Sequence, residues 1–161
     1  IKIDTMNKEV TGPDSDSLTL SSGTKISGGP GGLKNLRSLH LGYSSIVDKD
    51  VKMIGRLCGE NLVTLDISGC NDVTDIGAES LRQSCPNLES LYIYDTDLTD
   101  ECISKWANSK ECSLKKFGPG RGISQSMIKL LRDRGIEVPE ASDQSLLTDV
   151  FSGLLCGFYG L

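Results

Sequence analysis

No stretch of this chain holds 18 consecutive apolar residues, so no segment is expected to cross a bilayer as a helix. There is no basic excess either. Lys and Arg total 17 against 22 Asp and Glu, a net charge of -5, which excludes the basic face that nucleic-acid binders normally carry. No Cys-x-x-Cys pair occurs and His40 is the sole histidine, so a zinc cluster lacks its ligands, and no metal or cofactor is expected. The run Gly28-Gly29-Pro30-Gly31-Gly32 lacks the Gly-x-x-x-x-Gly-Lys-Ser/Thr spacing of a phosphate cradle. The opening Ile1-Lys2-Ile3-Asp4 has no Met, and no basic region followed by an apolar core. That argues against a secretory signal and leads us to expect a processed or trimmed piece of a longer chain.

What the chain does have is a beat of 26 residues. Leu36, Leu62, Leu88 and Leu114 each open the same phrase: Leu36-x-x-Leu39-x-Leu41, Leu62-x-x-Leu65-x-Ile67, Leu88-x-x-Leu91-x-Ile93 and Leu114-x-x-Phe117. A fixed period in this range marks stacked repeats, and leucine-rich repeats run about 20–29 residues. Each phrase alternates apolar and polar positions as a strand does. An apolar staple follows (Ile46, Val73, Leu98, Ile123), then an expected helix N-cap at Asp48, Asp75, Asp100 or Ser124. Helical stripes come next: Val51, Ile54 and Cys58; Ala78, Leu81 and Cys85; Ile103, Trp106 and Ala107; Ile128 and Leu131, closed by Gly135. The expected fold is α/β: a short right-handed solenoid with a parallel sheet on its concave side and helices on its convex side.

Cys58, Cys85 and Cys112 follow the repeat at 27-residue spacing and read as small buried hydrophobes rather than disulfide partners. Residues 1–35 read as an irregular N-terminal repeat or cap. There Leu18-Thr19-Leu20 and Ile26 repeat the strand-and-staple rhythm, and a glycine-rich loop stands where a helix is due. Ile1-Lys2-Ile3 reads as a further strand. Residues 36–138 hold the repeats, with the strand end of the fourth lost at Gly118-Pro119-Gly120 and a last strand at Glu137-Val138. Residues 139–161 form an apolar tail or cap, with Phe151, Leu155 and Phe158 on one helical face.

The segment Leu62-Val-Thr-Leu65-Asp-Ile67-Ser-Gly-Cys70-Asn71-Asp-Val73-Thr74-Asp75-Ile-Gly77, followed by Cys85-Pro86-Asn87-Leu88, resembles the cysteine-containing subtype of leucine-rich repeat. That subtype forms the repeat region of F-box and antagonist-of-mitotic-exit proteins. The resemblance covers residues 33–138 and is strongest from 62 to 100. It implies that Cys70 satisfies backbone groups in the turn, with Ser44 and Thr96 as smaller stand-ins. It also implies a receptor of a ubiquitin ligase, as a portion of a longer chain, although no F-box is found here. Similar short repeats occur in mitochondrial assembly and ATP-synthase-associated proteins, which sets mitochondrial placement beside the cytoplasmic one.

Strand residues between the inward leucines are expected to line the concave face in columns: Ser38, Thr64, Ser90 and Lys116; His40, Asp66, Tyr92 and Gly118; Gly42, Ser68, Tyr94 and Gly120. Tyr92 and Tyr94 are outward aromatics in a chain only 5% aromatic, which makes them the leading anchors for a protein partner. Asp95 and Asp97 at the rim favour a basic partner. With His40, Asp66, Lys116 and the tail residues Phe151, Leu155 and Phe158, Tyr92 and Tyr94 make up the expected binding set. An enzyme is not expected, because one histidine on an open sheet has neither an enclosing pocket nor an oxyanion hole. The expected function is a non-catalytic protein-interaction module, a scaffold or adaptor. Its alternative is a structural subunit of a large complex, in which any membrane contact would run through the tail.

Overall fold

Strand and helix alternate at nearly constant intervals from residue 38 onward. A computed structural model describes residues 2–4, 17–27, 32–109 and 112–139. Its elements are β1 (Lys2–Asp4), β2 (Ser17–Thr19), β3 (Lys25–Ser27), β4 (Ser38–His40), α1 (Asp48–Cys58), β5 (Thr64–Asp66), α2 (Asp75–Ser84), β6 (Ser90–Tyr92), α3 (Asp100–Asn108), β7 (Lys116–Gly118) and α4 (Gln125–Asp133). A 3-10 turn, Leu33–Asn35, precedes β4.

The leucine period sets the sheet. Five parallel strands lie in the order β1-β4-β5-β6-β7, and Leu39, Leu65, Leu91 and Phe117 stand opposite one another across four of them. One backbone bond recurs in each interval: Leu41 N–H to Asp66 O (2.8 Å), Ile67 N–H to Tyr92 O (3.0 Å) and Ile93 N–H to Gly118 O (2.9 Å). The inward leucines, the four staples and the helical stripes form one buried core. Trp106 belongs to that core, at 3% exposure. Each fully buried leucine contributes on the order of 1.5–3 kcal/mol of transfer free energy, and neither layer could bury its apolar face alone.

Three expectations are corrected. Leu18 and Leu20 do not belong to a repeat strand. β2 and β3 pair antiparallel as a hairpin with Leu18 opposite Ile26, and β1 takes the edge place beside β4. Leu18, Leu20 and Ile26 are buried all the same, so their pattern reports burial and not repeat geometry. The strand end of the fourth repeat is not lost, because β7 runs to Gly118 in full register with β6, and Lys116 bridges onward to Glu137. Cys112 is only partly buried, while Cys58, Cys70, Cys85 and Cys102 are free thiols in the core.

Ser124 caps its helix as expected, but in the first three helices the cap lies one residue before the expected aspartate. The N-caps of α2, α3 and α4 are Thr74, Thr99 and Ser124, whose hydroxyls accept from backbone N–H groups of the first turn. Asp48, Asp75 and Asp100 occupy the first helical position instead, and each reaches the cap of the following helix. Asp48 accepts from Thr74 N–H (2.7 Å) and hydroxyl (2.6 Å), Asp75 from Thr99 (2.9 and 2.5 Å), and Asp100 from Ser124 (2.8 and 2.5 Å). At α1 the cap position is Val47, which has no acceptor side chain. There Asp50 accepts from Val47 N–H (3.0 Å) and also from the N–H and hydroxyl of Ser21 in the hairpin turn (both 2.9 Å).

Side-chain ties also recur at the joints before the strands. Asn61 donates to Lys34 O (2.9 Å), Asn87 to Glu60 O (2.7 Å) and Ser113 to Leu88 O (2.7 Å). In the turns after the strands, the Cys70 thiol donates to Leu41 O (3.2 Å) and the Thr96 hydroxyl to Ile93 O (2.7 Å). Leu41 O and Ile93 O also accept from the backbone N–H groups of Ser44 and Thr96, so each of these side chains adds a second donor to a turn carbonyl.

Candidate functional site on the open sheet face

Strand alternation turns Leu39, Leu65, Leu91 and Phe117 into the core and their neighbours onto the opposite face. On that face the register sets His40 beside Asp66, Asp66 beside Tyr92, and Tyr92 beside Gly118. The turn positions Ser68 and Tyr94 continue the same two central strands, joined by the Gly69 N–H to Tyr94 O bond of 2.7 Å.

Tyr92 and Tyr94 stack with centroids 6.1 Å apart and planes inclined by 23°. The stack lies over Gly118. A Cβ there would fall 2.6 Å from Tyr94 Cζ and 2.7 Å from Tyr92 Cδ1, so the small residue on β7 makes room for both rings. Half-burial raises both phenol pKa values, Tyr94 to about 12 with Tyr92 contributing, so both rings are neutral at physiological pH.

Asp66 is the buried charge of this face, at 4% exposure. Burial alone would raise its pKa. Interaction with His40 and Ser68, including the Ser68 N–H at 3.0 Å, outweighs burial and holds the carboxyl below its usual value. His40 Nδ1 lies 3.7 Å from Asp66 Oδ2, and its Nε2 lies 3.0 Å from Ser38 Oγ. The Ser68 hydroxyl is buried with no hydrogen-bond partner among the described residues, although it sits beside the Asp66 carboxylate.

Ser38, His40 and Asp66 thus stand in the order of a nucleophile–base–acid relay. An acyl-transfer site also needs N–H donors aimed at a developing oxyanion. The amides at the start of β5, those of Val63 just before it and of Thr64, are both spent on Arg37 O (2.8 and 2.9 Å). The arrangement fixes the His40 ring on the face but supplies no oxyanion hole from these amides.

Lys116 stands on the same face, 3.3 Å from Glu137 Oε2 and partly exposed. At the rim, Asp95 takes the Tyr43 hydroxyl (3.1 Å) and lies 3.9 Å from Arg121 Nε, while Asp97 is exposed. Tyr43 was missed in the sequence. It is a 56% exposed aromatic at a left-handed turn position (φ 58°), and its ring covers Gly69 of the next repeat. The signal was present as the column Tyr43, Gly69, Asp95, Arg121, which lies just past the strand columns. The structure therefore brings His40, Asp66, Tyr92, Tyr94 and Lys116 onto one face. Phe151, Leu155 and Phe158 lie outside the described residues.

A leucine-rich repeat family model matches residues 60–81, from the end of α1 through β5 into α2. No curated protein matches the chain. The match supports a leucine-rich repeat protein, and such repeats are typically non-catalytic modules that bind protein partners.

Proposed function

We propose that this chain is a non-catalytic protein-interaction module that engages its partner through the open face of the sheet. The observation that carries this reading is the stacked, half-buried Tyr92–Tyr94 pair. Rigid tyrosines offer large amphipathic contact area at low entropic cost, and they are enriched where interfaces concentrate their energy. The neighbouring polar groups, Asp66, His40 and Lys116, supply orientation. Four thiols serving as core packing groups support a reducing, intracellular setting, with the cytoplasm first and the mitochondrion as the alternative.

The second reading is a structural subunit of a larger assembly, held by its ends. The apolar run from Leu146 to Tyr159 favours it. Affinity capture from native extract, comparing the intact chain with Tyr92→Ala/Tyr94→Ala, separates the two. A partner recovered with the intact chain and lost in the double variant supports the sheet face. A partner recovered equally with both overturns the sheet-face reading in favour of the ends.

A further inference from the structure

Gly42 leaves a gap on the face where the next two positions of its column, Ser68 and Tyr94, carry side chains. Among the described residues, a Cβ built on Gly42 would have only ordinary contacts: Ser68 O at 3.5 Å, Asp66 Oδ2 at 3.8 Å and Asp66 Oδ1 at 3.9 Å. Both carboxylate oxygens therefore border the space above Gly42. Ser68 belongs to the same corner through its backbone carbonyl, and its hydroxyl is buried with no hydrogen-bond partner among the described residues. The tyrosine pair packs over Gly118, and neither ring is among the nearest contacts of a Cβ at Gly42.

The charges around this space are unbalanced. Lys116 is paired with Glu137 and Arg121 with Asp95. The carboxylate of Asp66 is held in its charged form with a histidine, not a permanent cation, beside it. Asp97 adds an exposed negative charge at the rim. A buried carboxylate is costly unless paired, and a planar guanidinium pairs with two carboxylate oxygens at once while stacking on aromatic faces.

We propose that the niche above Gly42 seats an arginine side chain from the partner protein. Asp66 accepts from the guanidinium, Ser68 provides a further polar contact, and the Tyr92–Tyr94 pair flanks the partner's backbone. This rests on the sheet-face reading above and makes the partner segment a basic one.

The test uses the full chain, with acetyl-Gly-Arg-Gly-amide as probe and its citrulline analogue as the uncharged isostere. Amide chemical shifts are followed during titration. The expected result is saturable shifts confined to residues around Gly42, Asp66 and Ser68, with the citrulline peptide at least tenfold weaker. Gly42→Val fills the niche without altering charge and, given its ordinary contacts, without unfolding the chain. It should weaken the arginine peptide at least tenfold at an unchanged melting temperature, and Asp66→Asn should weaken it likewise. Equal binding of both peptides, shifts scattered over the acidic surface, or undiminished binding to Gly42→Val would overturn the seat. A captured partner that needs Tyr92 and Tyr94 but is indifferent to Gly42→Val would sink the seat and leave the sheet-face reading standing. Loss of the tyrosine dependence itself would remove both.

Discussion

Asp75 opens helix α2, yet both its carboxylate oxygens are used on Thr99, the cap of α3: one on the backbone N–H at 2.9 Å, the other on the hydroxyl at 2.5 Å. The hydroxyl of Thr99 in turn accepts from Glu101 N–H, so one carboxylate orders the start of its neighbour's helix. Replacing Asp75 with Ala should cost about 1–2 kcal/mol, the range for losing a cap or a charge-assisted hydrogen bond. Urea unfolding measures it. Thr99→Ala should cost a similar amount, and the double variant should cost less than the sum of the two because they share the interaction.

Gly118→Ala tests the tyrosine stack. Its new methyl would fall inside both ring contacts, so the rings must shift to admit it. Overpacking of this kind costs about 1–3 kcal/mol. The near-UV circular dichroism of the tyrosines should change while the helical far-UV signal stays. An unaltered near-UV spectrum would mean that the rings are not packed as described.

The acid limb of the stability curve should report Asp66. Its folded pKa is below the unfolded value of about 3.9, so its contribution is complete above that value and lost as pH falls through the folded one. The stability gap between the native chain and Asp66→Asn should therefore be flat above about pH 5 and close on acidification. Glu79, drawn down to about 2 by the Arg82 guanidinium, has the same sign. It lies on the surface, where solvent screens the pair, so Glu79→Gln should flatten the limb far less.

Burial raises the Cys58 and Cys70 thiols to about 11, and those of Cys85 and Cys102 to about 12. In a Cys156→Ser background, a thiol reagent at about pH 8 should label Cys112 quickly and the other four only as the chain opens. Fast labelling of any of those four in the folded chain would contradict their place in the core.

Most of this architecture was legible from Leu36, Leu62, Leu88 and Leu114, because a buried parallel ladder demands the same residue at the same depth in each strand. The columns on the opposite face followed from strand alternation alone. What was misread had a different cause at each place. Leu18 and Leu20 alternate as any half-buried strand does, so a hairpin and a repeat strand look alike there. Asp48, Asp75 and Asp100 are good cap residues, and nothing local shows that their partners lie one repeat further on. Tyr43 escaped because a left-handed turn position carrying a large aromatic breaks the usual preference for glycine or asparagine. The space above Gly42 is visible only once Asp66 has a place in three dimensions.

The joints tied by Asn61, Asn87 and Ser113, like the aspartate ties between helices, reach back about one repeat and no further. Among the described residues, no such tie links the first repeat directly to the last. A chain fastened this way behaves as a zipper under mechanical load. Pulled from its two ends, it should open repeat by repeat from whichever end is weaker, giving a series of small rips and not a single large rupture. Held by a partner across β5 and β6, it should resist at the middle and yield at its flanks.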